Sequence, residues 1–175
     1  MERIVRVVTE LNFGGVEKRI EISSAEFKKR AEISLHVVAI GKGGASAQAL
    51  KQLNTDTILL GLRPTIPNLT AIIKLYKLFK LIKPDVVHTS GAEANFHGLI
   101  AAYVAGVKVR IGEEIGFPNH KLFWKIVFNI VYRLANNVIG ISKAVVTRIV
   151  DLGEVGLNKT TVVYNPVEIA SIDFA

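Results

Sequence analysis

The chain has 175 residues, 50% of them hydrophobic, no cysteine and a formal net charge of +7. This size and apolar content predict one folded domain with a sizeable core and exclude an intrinsically disordered chain. The lack of cysteine excludes a disulfide scaffold and cysteine-based zinc sites, and the positive charge favours acidic partners such as anionic lipid, nucleic acid or a phosphorylated substrate.

Short β-branched runs alternate along the chain with longer helical patterns. The predicted strands are 3–8, 33–40, 57–60, 85–88, 108–112, 137–141 and 160–164. The predicted helices are 16–30, 45–53, 68–82, 92–105, 119–135 and 143–151. Nearly continuous apolar strands are typical of a parallel sheet with helices on both faces. We therefore predict an α/β fold, a doubly wound Rossmann-like three-layer sandwich whose mainly parallel sheet has about seven strands.

Capping and turn residues support these boundaries. Asn68 and Ser142 stand where each can cap the helix that follows, and Gly106 follows a helix where a left-handed residue is expected. The pattern predicts one domain over 1–165 and the start of a connection over 166–175, leading to a further domain.

A glycine pair follows the first predicted strand. Gly14 and Gly15 precede a helix whose free N–H groups and dipole favour an anion, and glycine lets a ligand approach the backbone closely. We interpret this turn as a phosphate-binding loop. A tight turn with no ligand is the alternative.

Polar residues also follow the later strands. Ligands of an open parallel sheet bind beyond the carboxyl ends of the strands, so these side chains are predicted to share one edge. They are His88 and Ser90, then Glu113 and Glu114, then Ser142 and Asn165. A buried structural role is the alternative for His88, and a simple helix cap is preferred for Ser142. Because Glu113 and Glu114 are neighbours in a strand, we expect at most one of them to face the cleft and the other to be solvated. Repulsion between two close carboxylates would raise the pKa of one of them, which suits general acid–base catalysis.

Several functions are excluded by what the motifs lack. The first turn has no Gly-x-Gly-x-x-Gly, and the second strand ends in Ala39-Ile40-Gly41 with no acid for a ribose, which argues against a dinucleotide cofactor. The four histidines have no ligand spacing, so no metal is expected. The lysines lie on separate helices without interleaved aromatics, which disfavours nucleic acid, and we expect His97 on the surface.

The helix predicted at 119–135 has one narrow polar stripe. Lys121, Lys125, Asn129 and Arg133 recur every fourth residue, and nearly everything between them is apolar. One interpretation is a helix covered by a neighbouring element or domain. The other is membrane contact, in which Lys121, Lys125 and Arg133 meet lipid head groups. No apolar run approaches the ~20 residues of a membrane span, and the chain starts directly in a strand, so we expect a cytoplasmic protein. A peripheral location at the inner face of the membrane is the alternative that the second interpretation of this helix leaves open.

Four segments in this order resemble a known family. These segments are Gly14-Gly15-Val16-Glu17, Lys83-Pro84-Asp85-Val86-Val87-His88, Val138-Ile139-Gly140-Ile141-Ser142 and Thr161-Val162-Val163-Tyr164-Asn165-Pro166-Val167-Glu168. Because of them, the chain is similar to the amino-terminal half of a two-domain (GT-B) nucleotide-sugar glycosyltransferase of family 4. The resemblance implies a retaining sugar transfer from a nucleotide-sugar donor to a polysaccharide or lipid-linked acceptor, with no essential metal and no cofactor. It also implies that this half mainly binds acceptor, while an absent half with a Glu-x7-Glu motif binds the nucleotide. We therefore expect the isolated chain to be nearly inactive.

With the resemblance, the strand-end residues receive roles. The expected site comprises His88, Glu113 and Glu114 as catalytic candidates, Gly14, Gly15 and Asn165 on the donor phosphates, and Ser90 and Asn95 on the acceptor. Two departures from the family pattern stand out: Glu113-Glu114 replaces a frequent histidine, and Asn165-Pro166-Val167-Glu168 replaces Asn-Gly-Val-Asp.

A second hypothesis is non-enzymatic. The chain would then be a stand-alone binding or assembly module that pairs with a separate donor domain or docks on an anionic membrane. The sequence leaves the sugar, the acceptor, the linkage and the oligomeric state open.

Overall fold

The computed structural model describes residues 1–166, so the predicted connection, apart from Pro166, lies outside the described residues. The seven strands within it are β1 (Glu2–Val8), β2 (Ile33–Ala39), β3 (Asp56–Leu59), β4 (Val86–Ser90), β5 (Val109–Glu114), β6 (Asn137–Gly140) and β7 (Thr160–Val162). The six α-helices are α1 (Gly15–Lys28), α2 (Ala45–Gln52), α3 (Leu69–Ile82), α4 (Ala92–Ala105), α5 (Leu122–Arg133) and α6 (Lys143–Asp151). A short 3₁₀ turn at Leu157–Lys159 precedes β7.

All seven strands form one parallel sheet in the order β3-β2-β1-β4-β5-β6-β7. This confirms the predicted fold class. The chain moves outward from β1 to β3 and then returns to β4 on the other side of β1. The strand order therefore reverses between β1 and β4, which is where sheets of this kind bind ligands.

The helices form the two outer layers. On one face, Ile20 of α1 and Leu50 of α2 pack with Val37 of β2. On the other face, α3 and α4 pack over β1 and β4, and α5 and α6 continue that layer over β5 and β6. Right-handed crossovers require this division, because strands added in opposite directions take their helices on opposite faces.

Two strands extend further than predicted, and both extensions reach the candidate site. β4 runs to Ser90 and β5 to Glu114, so Ser90, Glu113 and Glu114 are strand residues rather than residues that follow strands. The sequence prediction ended each strand near its first polar group because an unpaired polar group in a buried strand is costly. Here those groups have partners from distant parts of the chain.

The helix caps agree with the prediction, but the burial of His97 does not. Asn68 and Ser142 accept hydrogen bonds from Ala71 N and Val145 N, and Gly106 adopts φ 79°. His97 is fully buried, which is contrary to expectation. Its Nε2 accepts from Asn68 N (3.0 Å) and its Nδ1 donates to Glu93 O (2.6 Å), so it joins α3 to α4 as a neutral ring. Burial lowers its pKa.

Candidate functional site

The loop that carries the glycine pair is held from behind by the loop after β2. Leu11 N donates to Lys42 O (3.1 Å), and Gly44 N donates to Leu11 O (2.7 Å). A Cβ at Gly44 would lie 3.1 Å from Asn12 Cα, which is tighter than an ordinary side-chain contact, so the two loops pack closely there. The glycine-rich segment at 41–44 therefore helps to fix the path of the chain into α1.

Gly14 and Gly15 lie at the start of α1 and differ in how open they are. The Glu17 carboxylate lies over Gly14, where an added Cβ would come within 2.5 Å of Oε2. Gly15 is exposed, and no atom of residues 1–166 lies within 4 Å of the position of an added Cβ. No side chain caps the amino terminus of α1. The first-turn N–H groups are therefore approachable at Gly15, while Glu17 already balances part of the helix dipole near Gly14.

A pocket of about 150 Å³ lies beside Gly15. Its walls come from α1, from the residues after β5 and β6, and from the residues after β7: Gly15, Val16, Arg19, Ile115, Ile141 and Asn165. The predicted convergence of strand ends at one edge of the sheet is thus observed for four separate segments. The walls combine apolar surface with one cation and one amide.

A buried polar cluster is joined to this pocket through Arg19. We call it the Glu113 network, comprising Arg6, Arg19, His88, Ser90 and Glu113. Arg19 donates to both carboxylate oxygens of Glu113 through its two terminal nitrogens. Ser90 Oγ donates to Glu113 Oε2 (2.6 Å), and Arg6 Nη2 donates to Ser90 Oγ (3.0 Å) and reaches Glu113 Oε2 at 3.4 Å. A bidentate pair of this kind fixes both the position and the orientation of the guanidinium group.

The charges of the network leave an excess of positive charge. Burial alone would raise the pKa of Glu113, but His88, Arg6 and Arg19 outweigh burial and lower it to about 2. Burial lowers the pKa of Arg6 to about 10, which keeps it charged at neutral pH. Two guanidinium groups therefore face one carboxylate. The Nε atoms of Arg6 and Arg19 have no hydrogen-bond partner within residues 1–166, which suits a site that receives an acceptor-rich ligand or water.

His88 lies at the edge of the network with 16% of its side chain exposed. Its Nε2 is 3.3 Å from Glu113 Oε2, but the two groups are not aligned as a hydrogen bond. Burial, together with the positive charge of Arg6, lowers the pKa of His88 to about 4. The ring is therefore neutral at physiological pH and is a weak base.

Glu114 points away from the pocket, because neighbouring strand residues face opposite sides of a sheet. Its carboxylate accepts from Tyr132 Oη (2.9 Å) and from Ile115 N (3.2 Å), inside the layer formed by α4 and α5. Only one of the two glutamates faces the pocket side, as expected. The expectation that the other is solvated is wrong, because Glu114 is only 5% exposed. Burial raises its pKa.

The two predicted acceptor-binding residues are both buried and engaged. Ser90 is part of the Glu113 network. Asn95 of α4 donates to Glu113 O (2.9 Å) and Tyr132 Oη (3.3 Å) and accepts from Thr89 Oγ1 (2.6 Å) and Glu113 N (3.2 Å). Neither side chain offers a free group at the surface, so in this arrangement each one holds the strands together rather than facing an acceptor.

Asn165 lies where it was predicted to lie, at the edge of the pocket. It is exposed, and its Oδ1 accepts from Arg19 Nη1 (3.1 Å). Arg19 therefore joins three parts of the chain: α1, the end of β5 and the segment after β7. The predicted membrane-contact residues Lys121, Lys125 and Arg133 lie on or beside α5 and do not line this pocket.

The sequence analysis missed Arg6 and Arg19. Arg6 carried a usable signal, because a charge in the middle of the apolar run Ile4–Val8 requires a buried partner. Arg19 carried none, since a cation within a polar helix segment usually faces solvent. Its partner lies 94 residues further along the chain.

Comparison with known proteins agrees with this arrangement. The sequence profile that describes Glycosyltransferase Family 4 matches residues 13–171. A curated relative from Wigglesworthia glossinidia brevipalpis, UDP-N-acetylglucosamine--N-acetylmuramyl-(pentapeptide) pyrophosphoryl-undecaprenol N-acetylglucosamine transferase, is 32% identical over 83 residues, which is 47% of this chain and 21% of the relative.

Solved structures share the fold at low sequence identity. Anabaena HepE in complex with UDP and glucose superposes with a TM-score of 0.75 at 18% identity, over 96% of this chain and 45% of that one. The lipopolysaccharide outer core galactosyltransferase WaaB gives 0.70 at 16% identity, over 97% and 47%. A UDP-N-acetylglucosamine 2-epimerase gives 0.65 at 17% identity, over 93% and 48%. The chain thus spans just under half of the length of these proteins.

Proposed function

We propose, from the premise that this chain belongs to glycosyltransferase family 4, that it is the acceptor-side half of a retaining enzyme. The enzyme moves a sugar from a nucleotide-sugar donor to a glycan or a lipid-linked acceptor. The observation that carries this proposal is the pocket beside Gly15, which has Arg19 and Asn165 in its walls and is joined through Arg19 to the net positive Glu113 network. Among the structures that share this fold, HepE holds UDP and glucose, and a UDP-GlcNAc 2-epimerase from Neisseria meningitidis holds UDP-GlcNAc, which agrees with a nucleotide-linked ligand.

The pocket suits the donor phosphates for three independent reasons. The free N–H groups at the start of α1 donate to an anion through the opening at Gly15. Arg19 is a planar multiple donor of the kind that recognises phosphate. Glu113 holds that group in place, and Asn165 adds an amide at the rim. Negative charge builds on the leaving diphosphate as the sugar bond breaks, and positioned donors stabilise that charge best when they do not have to reorganise.

The chemistry of Glu113 favours a positioning role. A carboxylate with a pKa of about 2 that is held by two arginines is a poor proton acceptor and is sterically closed as a nucleophile. Within this proposal Glu113 orients Arg19. His88 remains the candidate nearest the network for contact with the sugar, as a neutral hydrogen-bonding ring. Glu114, Ser90 and Asn95 act through the core, since each is buried away from the pocket.

Substitutions at Gly15 separate this function from folding. We expect Gly15→Ala and Gly15→Val to fold like the wild type, because no atom in the described part of the chain lies within 4 Å of an added Cβ. Both should weaken phosphate binding, Val more than Ala, because a side chain blocks approach to the helix N–H groups. The measurement is a titration of the labelled chain with UDP-glucose, following the backbone amide signals of residues 15–19 by NMR; thermal unfolding reports on folding.

Glucose without a phosphate is the control ligand and should leave these signals unchanged. An equal response of the wild type and Gly15→Val to UDP-glucose would show that the phosphates do not bind at Gly15. No response in any variant would favour the non-enzymatic alternative, a binding or assembly module. Adding a candidate donor half and measuring sugar transfer then tests the whole reaction.

A further inference from the structure

Helix α5 exposes large apolar side chains on a surface that no other described residue covers. We call this surface the α5 patch; it comprises Phe117, Leu122, Phe123, Ile126 and Ile130. Each of these side chains is between 54% and 73% exposed. The narrow polar stripe seen in the sequence suggested burial around most of the helix, but the structure buries only Phe128, Val131 and Tyr132 fully.

The exposed residues form a continuous face. Leu122, Ile126 and Ile130 are four residues apart and therefore lie one above another along the helix. Phe123 extends this face sideways, and Phe117 is exposed in the loop that precedes α5. A shallow groove of about 210 Å³ runs along it, lined by Leu122, Lys125, Ile126, Asn129, Leu152 and Gly153. Soluble monomers rarely expose a contiguous apolar surface of this kind without a binding function.

Cations border the α5 patch. Lys121 and Lys125 lie at its amino-terminal end, and Arg133 lies at the last residue of α5. Arg148 of α6 lies over the Phe117 ring at 5.6 Å. The helix itself carries no acidic residue, although Asp151 is exposed near the end of α6. Large apolar side chains flanked by long cationic ones are the arrangement with which a helix lies in the surface of an anionic bilayer.

The loop before α5 is held in place independently of any partner. His120 stacks on Phe128 with ring centroids 4.6 Å apart, and its Nδ1 is 2.6 Å from Glu154 Oε1. Arg148 Nε donates to Pro118 O (2.9 Å). The turn that presents Phe117 and Lys121 is thus tied to the core and to α6. A surface that is already formed needs little ordering when it binds, which favours affinity.

We propose that the α5 patch docks this protein on an anionic lipid bilayer, with its apolar side chains among the acyl chains and its cations at the head groups. Charge complementarity selects the bilayer over a second copy of the chain, because two copies packed through this surface would bring like cations together. The net charge of +7 acts in the same direction. α5 begins at the sheet edge where β5 ends, which is the edge that carries the pocket. If the proposed function holds, docking brings a lipid-linked acceptor to that edge.

The single tryptophan provides a direct reporter. Trp124 lies on α5, half-buried next to Phe123 at 5.3 Å between ring centroids. The experiment adds phosphatidylcholine vesicles with or without phosphatidylglycerol to the purified chain and follows Trp124 emission and co-sedimentation. Vesicles that contain phosphatidylglycerol should shift the emission to the blue and pellet the protein, and brominated acyl chains should quench it. Neutral vesicles and added salt should weaken all three signals.

Two variants measure separately how much the apolar side chains and the cations contribute to vesicle binding. Phe123→Ser with Ile126→Ser removes exposed apolar groups, and we expect binding to fall at least tenfold with unchanged thermal stability. Lys121→Gln with Lys125→Gln and Arg133→Gln removes three charges, for an expected loss of about a hundredfold on anionic vesicles. The matched control is Lys74→Gln with Lys77→Gln and Lys80→Gln. It makes the same charge change on exposed positions of α3 and should have a small effect.

Three results overturn the proposal. Equal losses from the α5 and α3 charge variants would mean that the chain binds by overall charge alone. Unchanged binding by the serine variant would mean that the apolar face does not enter the bilayer. Absence of vesicle binding, together with a dimer in sedimentation that the serine variant dissociates, would assign the α5 patch to a second copy of the chain. Each readout is independent of sugar transfer, so failure here leaves the proposed function untouched.

Discussion

Replacing Glu113 by glutamine is expected to lower the free energy of unfolding by about 3–5 kcal/mol. The substitution removes the carboxylate that, among the described residues, pairs with Arg6 and Arg19, both of which are 6% exposed. It also turns an amide N–H₂ group toward guanidinium donors, so that two donors face each other. Chemical denaturation followed by circular dichroism measures the change. Glu26→Gln, which breaks the exposed pair with Lys29, is the matched control and should change stability by less than about 0.5 kcal/mol.

The same variant should alter how stability depends on pH. Folding lowers the pKa of Glu113 from 4.5 to about 2, so the unfolded chain binds the proton first as the pH falls. The stability that Glu113 contributes is therefore present above pH 4.5 and is lost progressively toward pH 2. Folding also lowers the pKa of His88, from 6.5 to about 4, so the unfolded chain binds this proton first and stability is also lost as the pH falls from 6.5 to about 4. Below pH 4 the wild type should lose stability more steeply than Glu113→Gln. Parallel curves in that range would show that the network does not hold the carboxylate ionised.

Replacing Asn95 by alanine is expected to cost about 3 kcal/mol of stability. Its side chain makes four buried hydrogen bonds, to Thr89, to the N–H and carbonyl of Glu113, and to Tyr132. Removal leaves these groups without partners in a site closed to water, and each unsatisfied group costs about 1–3 kcal/mol before relaxation. A substrate-binding residue at the surface would instead affect the Michaelis constant and leave stability unchanged. Urea denaturation distinguishes the two roles.

Asn129→Ala is the control for this substitution. Asn129 also makes a hydrogen bond with its amide, to Gly153 O at 2.8 Å, but at a partly exposed position where water can replace it. We expect its loss to cost less than about 1 kcal/mol. Asn95→Asp adds a further test, because it keeps both accepted hydrogen bonds but turns a carboxylate oxygen toward the Glu113 carbonyl. Wild-type stability in both Asn95 variants would restore Asn95 as a candidate for acceptor contact.

Asn95 and Arg19 both hold Glu113 in place. Asn95 holds the backbone of Glu113 through its N–H and C=O, and Arg19 holds the carboxylate. Arg19, the residue proposed to bind phosphate, is thus held in position by Glu113 of β5, and β5 is held in position by Asn95 of α4. A change at Asn95 is expected to reach the pocket by this route, even though Asn95 does not line it.

Local sequence patterns determined most of the fold. Apolar strand runs, helical periodicity and caps such as Asn68 and Ser142 depend on neighbouring residues, so one stretch of chain carries the whole signal. The right-handedness of βαβ connections, together with the rule that the carboxyl ends of parallel strands share one edge, then predicted that Gly15, the end of β5 and Asn165 lie at the same edge of the sheet, as they do. Those inferences needed no knowledge of side-chain contacts.

Only the tertiary structure decided what the polar residues do at that edge. Arg6, Arg19 and Glu113 are each a single charge in the sequence, and the separations of 107 and 94 residues hide their pairing. Burying a charge is costly unless a partner arrives, so whether a strand-end glutamate is a free base or half of an ion pair depends on residues far along the chain. The same holds for α5: its sequence specifies an apolar helix, but which of its faces remains exposed was decided by how many neighbours pack around it.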